Sequence, residues 1–128
     1  MGPVAKYAIV VMSETGEANP GGQGRMVHAM TTARDLKAAR QDVSLWFDGI
    51  GVTWLNAFNA RTEPFTQHYG PLFDEVRPLI GGSCEFCTKM RFGAGPSADR
   101  LGVRTVGGTT DHRSVASLLS DGHQVLIF

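Results

Sequence analysis

Tyr7-Ala8-Ile9-Val10-Val11-Met12 is the stretch whose reading decides the fold. It is an uninterrupted apolar run of strand length with β-branched residues at its centre. A strand with one wet face alternates polar and apolar side chains, so an unbroken run predicts a central strand covered on both faces, as in parallel sheets. The run enters Ser13-Glu14-Thr15-Gly16-Glu17-Ala18-Asn19-Pro20-Gly21-Gly22-Gln23-Gly24, which is too rich in glycine and proline to read as regular structure. A helix is predicted from about Arg25 to Arg40, with Met26, Ala29, Met30, Ala33 and Leu36 on one stripe and Arg34, Asp35 and Lys37 off it.

That β-loop-α unit sets the pattern for the rest. Val43-Ser44-Leu45-Trp46-Phe47 reads as a strand ending at Asp48-Gly49, and Val52 to Phe58 as a short helix. Asn59 to Gln67 is polar loop, and His68 to Arg77 is helical with Pro71 in its first turn. Pro78 to Gly82 is a strand weakened by two glycines, Glu85 to Phe92 a helix, and Gly93 to Ser97 a break. Arg104 to Val106 is a short strand, His112 to Leu119 a helix, and Gln124 to Phe128 the closing strand. The alternation predicts one domain over residues 1–128, a three-layer α/β/α sandwich with a mostly parallel sheet of about five strands. The dense aromatics from Trp54 to Phe73 are expected in the core and between helices, with a subunit interface or ligand lid as the alternative.

Composition narrows the function. Lys+Arg 12 balances Asp+Glu 12 and the basic residues are scattered, so neither nucleic acid nor an anionic membrane is an expected partner. No apolar run approaches the roughly 20 residues needed to span a bilayer. Two cysteines three positions apart cannot bridge long loops, and no cleavable leader precedes Lys6, so a reducing cytoplasm is the expected setting.

The chemistry concentrates in Gly81-Gly82-Ser83-Cys84-Glu85-Phe86-Cys87. A Cys-x-x-Cys pair can be a dithiol/disulfide couple, half of a zinc site, or a nucleophilic thiolate with a helper; it can also be two inert core residues. Zinc needs four ligands, and the chain has no second pair and no paired-histidine spacing, so no metal is expected. With Ser83 as N-cap, Cys84 and Cys87 would open a helix whose free N–H groups lower a thiol toward neutrality, opposed by Glu85 and assisted by Lys89 and Arg91.

Parallel strands deliver their following loops to one carboxyl edge. The Ser13 to Gly24 loop, Asp48-Gly49, Cys84 to Cys87 and Gly107-Gly108-Thr109-Thr110 are therefore expected to rim one site. The glycine loop lacks both nucleotide fingerprints; it reads as an ordinary long loop or as an anion-binding nest involving Ser13, Gly22, Gly24 and Arg25. Ser13-Glu14-Thr15-Gly16 also resembles the phosphate loop of flavodoxin-like proteins, which makes a non-catalytic small-molecule or anion (flavin-phosphate) module one alternative function; a catalytically silent structural subunit, assembled through Trp54 to Phe73, is the other. His28, expected in the first turn after this loop, is a candidate proton donor or thiolate partner; His68, His112 and His123 read as surface residues.

Taken together, the chain resembles the DsrE/DsrF-like family of sulfur-relay proteins, which includes the TusD-type sulfur carriers. The likeness spans nearly the whole length. Its most specific element is a cysteine ending a mid-chain strand with an arginine seven positions on, here Cys84 and Arg91, and a second cysteine at Cys87. The family's glycine after that arginine is Phe92 here, with Gly93 one place later. The resemblance implies a five-stranded parallel sheet, assembly as a homo-oligomer (trimer or hexamer), and no cofactor. It also implies a sulfurtransferase or carrier role in which Cys84 takes sulfane sulfur as a persulfide from a donor protein and passes it to an acceptor protein.

Overall fold

The computed structural model describes residues 5–128. Five parallel strands lie in the order β4-β3-β2-β1-β5. They are β1 Lys6–Val11, β2 Asp42–Phe47, β3 Ile80–Cys84, β4 Thr105–Val106 and β5 Gln124–Ile127. β1 is central, pairing with β2 on one side and β5 on the other, and Ala8, Ile9, Val10 and Val11 are fully buried. The unbroken apolar run is thus explained by cover on both faces.

Among the described residues there are five α-helices: α1 Pro20–Ala38, α2 Thr53–Ala60, α3 Pro64–Val76, α4 Gly95–Leu101 and α5 Ala116–Ser120. A π-helical turn, Phe86–Arg91, follows β3 directly. From β1 to β4 the chain steps in one direction across the sheet, so right-handed crossovers put α1 to α4 on one face; the return to β5 brings α5 to the other. The core divides accordingly. Ile9, Val11, Leu45 and Phe47 pack with α1 to α4, while Ala8, Val10 and Trp46 form a smaller apolar cluster with Leu118 and the half-buried Val106 and Val125. The sandwich has one thick and one thin helical layer. Among the described residues, no helix is long and apolar enough to cross a membrane.

Several boundaries differ from the sequence reading. α1 begins at Pro20, so Pro20 to Gly24 form its first turns instead of loop. Proline is suited to the first helical position, and Asn19 caps the end by accepting the Gly22 N–H at 3.0 Å. Gly22 is required here, because a Cβ would lie 2.1 Å from the Glu14 carbonyl oxygen. α3 likewise starts early, on Pro64, which leaves Pro71 inside the helix. The expected break at Gly93 to Ser97 contains the start of α4, and the last helix begins at Ala116, leaving His112 outside it. Ser83 is buried in β3 and accepts the Thr88 hydroxyl at 2.9 Å, so it caps no helix. Of the Trp54 to Phe73 aromatics, Trp54, Phe58 and Phe73 are core and the half-buried Phe65 and Tyr69 pack against them: Phe58 stacks on Phe73 at 4.4 Å, and Trp54 and Phe65 pack at 5.3 Å.

Candidate functional site

The two glycines that weaken β3 make room for an indole. A Cβ at Gly81 would sit 2.4 Å from the Trp46 ring, so only glycine lets Trp46 lie flat against the strand. Over that ring, at 4.7 Å, lies the guanidinium of Arg113. Arg113 also grips the Asp48 carboxylate, Nη2 to Oδ2 at 2.6 Å and Nε to Oδ1 at 3.3 Å, with both side chains 7% exposed. A desolvated, bidentate pair of this kind fixes orientation. Here it pins the segment entering α5 onto the carboxyl ends of β2 and β3.

That clamp closes a cavity of about 320 Å³ lined by Met12, Asp48, Gly49, Cys84, Arg91, His112, Arg113 and Val115. Cys84 ends β3 and points its sulfur at the Arg113 backbone N–H, 3.5 Å away. Cys87 is fully buried in the π-turn and does not line the cavity; its sulfur lies 3.1 Å from His112 Nδ1. Both cysteines are free thiols. Cys84, Cys87 and His112 place one donor atom each within 4.8 Å of the others.

The expected lowering of thiol pKa does not hold at Cys87, where burial pushes it up to about 11. A hydrogen bond to Cys84 and the charge of its thiolate add to that rise, while the Gly49 N–H and the Arg91 charge oppose it. The physical reason is position: Cys87 sits under the turn, among apolar side chains, not at an open helix start. Between Cys87 Sγ and His112 Nδ1, 3.1 Å apart, one group donates and the other accepts according to the imidazole tautomer. Phe86 holds the same ring edge-on at 4.8 Å.

The structure brings together only part of the predicted constellation. Cys84 and Arg91 share the cavity with Asp48-Gly49, as expected from the carboxyl-edge argument. Glu85 faces away, accepting from the Thr105 hydroxyl at 2.8 Å and pairing with Lys89 at 3.6 Å. Gly22, Gly24, Arg25 and His28 belong to α1 and line neither this cavity nor the next; His28 is two turns into the helix, because the helix begins before the glycines. Ser13 is buried, its carbonyl taking the Trp54 Nε1–H at 3.1 Å, and its hydroxyl has no partner among the described residues.

The glycine-loop residues Thr15 and Gly16 instead line a separate cavity of about 330 Å³ with Gln23, Trp54, Glu63, Phe65 and Thr66 among its walls. The two cavities have no lining residue in common, so the single shared site expected from the loops is two sites. His112 and Arg113 were not foreseen. The only sequence signal near them is the glycine-rich turn at Gly107-Gly108, which lets the chain fold back over the sheet edge with φ of +99° and +87°. No family model, curated protein or solved structure matches this chain.

Proposed function

We propose that this protein is a cytoplasmic sulfur carrier or sulfurtransferase of the DsrE-like kind, with Cys84 as the sulfur-bearing residue. One observation carries the reading: of the two thiols, Cys84 alone lines the cavity, at a strand's carboxyl end, beside Arg91 and under a backbone N–H. In the step proposed, the Cys84 thiolate attacks the outer sulfur of a donor persulfide. The donor S–S bond breaks, the donor leaves as a thiolate, and Cys84 holds the new S–S bond, with no net oxidation. Arg91 and the Arg113 N–H offset the charge of the terminal sulfur.

The high pKa of Cys87 bears on its role. A thiol that keeps its proton is a slow nucleophile, so release of the loaded sulfur through a Cys84–Cys87 disulfide is slow. Transfer then falls to an acceptor protein, and homo-oligomer assembly belongs to the same reading.

Mass spectrometry after incubation with a sulfane-sulfur donor tests this. One added sulfur is expected on the peptide bearing Cys84, absent in Cys84→Ser and retained in Cys87→Ser. An unloaded Cys84 whose free thiol still reacts with iodoacetamide would discard the carrier. The flavin-phosphate alternative draws less support, because the only charged side chain lining the glycine-loop cavity is the Glu63 carboxylate.

A further inference from the structure

Sequence spacing argues against zinc only if all four ligands must come from the chain. A site with three protein donors and one open position is a recognised arrangement, and two cysteines with one histidine is among its ligand sets. The fold supplies that set from three places: the end of β3, the π-turn, and the segment before α5.

We propose that Cys84, Cys87 and His112 form a site for a thiophilic d10 cation, zinc(II) or copper(I), with a coordination position open to the cavity. The proposal stands on the placement of these donors and does not depend on the sulfur reading. Their atoms lie within 4.8 Å of one another, and Cys87 Sγ and His112 Nδ1 are 3.1 Å apart. A tetrahedral ion at about 2.3 Å from sulfur and about 2.0 Å from nitrogen needs donors about 3.5–3.8 Å apart, so closure changes no donor separation by more than about 1.3 Å. His112 is exposed, which leaves a path for the ion.

The surroundings fit thiolate ligands. The Arg113 N–H points at Cys84 Sγ, the kind of outer hydrogen bond that orients sulfur ligands and tunes them. Asp48 is held by both Arg113 contacts and so does not compete for the ion. Two thiolates neutralise a divalent ion, and Arg91 beside the open position favours an anion or hydroxide as fourth ligand. With copper(I) the core keeps one negative charge, which the same arginine offsets. Each thiol gives its proton to solvent on binding.

The test is titration of the reduced, sulfur-free protein with cobalt(II), a spectroscopic stand-in for zinc. One equivalent is expected to give a thiolate-to-cobalt charge-transfer band and the strong visible absorption of tetrahedral cobalt, erased by one equivalent of zinc(II). Cys84→Ser and Cys87→Ser should each weaken the charge-transfer band, and His112→Ala should lower affinity by more than the roughly 10–100-fold that losing an outer-shell partner costs. His28→Ala should change nothing. Far-ultraviolet circular dichroism checks that each variant is folded.

A parallel titration against a copper(I) chelator decides the ion. One-to-one copper(I) binding with a silent cobalt titration would support the site and assign it to the monovalent ion. No binding of either metal by protein with two titratable thiols would overturn the proposal, as would unchanged affinity in folded His112→Ala. Sulfur loading of metal-free protein is measured separately, so failure of one reading leaves the other standing.

Discussion

Cys87 carries its own pH signature. Its thiol holds a proton to about 11 in the folded protein against an ordinary 9.0. Between those values the unfolded chain has released the proton and the folded chain has not. The stability this group contributes is therefore complete below about pH 9 and is lost as pH rises toward 11. Urea midpoints of the wild type should fall across that window, and Cys87→Ser, which does not ionise, should show a flatter profile. Asp48 and Arg113 give a second residue-scale prediction. Both side chains are 7% exposed, so Asp48→Ala strands a buried guanidinium and should cost about 3–5 kcal/mol in urea denaturation. It should also loosen the segment over the cavity, so that Cys84 alkylates faster than in the wild type. An unchanged alkylation rate would mean that the clamp does not guard that sulfur.

At the scale of elements, α1 shows how packing overrides local preference. Glycine costs about 1 kcal/mol in a helix interior relative to alanine, and three glycines follow Pro20. The helix nevertheless forms there, because Asn19 caps it and the close approach of the β1–α1 loop excludes any side chain at Gly22. Gly22 and Gly24 should respond oppositely. Gly22→Ala drives a Cβ to 2.1 Å from backbone and should destabilise by about 1–3 kcal/mol or more. Gly24→Ala meets nothing within 4 Å and should stabilise by about 0.5–1 kcal/mol. Thermal denaturation of the pair reads both signs, and equal effects would refute the packing account. The π-turn was beyond sequence reading for a related reason. Its wide ring, with Phe92 N–H donating to Cys87 C=O at 3.0 Å, is accompanied by a hydrogen bond from the Thr88 hydroxyl back to Ser83 at 2.9 Å, a contact no local pattern announces.

For the whole molecule, the uneven layers predict uneven stability. β1 and β2 are covered on both faces, whereas α5 is five residues long and leaves Leu119 58% and Ile127 60% exposed. Amide hydrogen exchange should be slowest in β1 and β2 and fastest from Gly107 through α5, the segment that carries His112 and Arg113. Slow exchange in that segment would show that the ion pair to Asp48 suffices to hold the thin layer. The apolar run at Tyr7 to Met12, the alternation of strands and helices, and the position of Cys84 at a carboxyl edge were all written in local pattern, since burial on two faces and the handedness of crossovers leave few alternatives. His112 and Arg113 lie 25 and 29 residues from the sulfurs they touch. No spacing rule links such partners, because their meeting depends on how far the chain travels between β4 and β5 and on a buried charge pair that folds it back. Tertiary structure alone therefore decided which residues surround the thiols, and that Thr15, Gly16 and Gln23 line a different cavity.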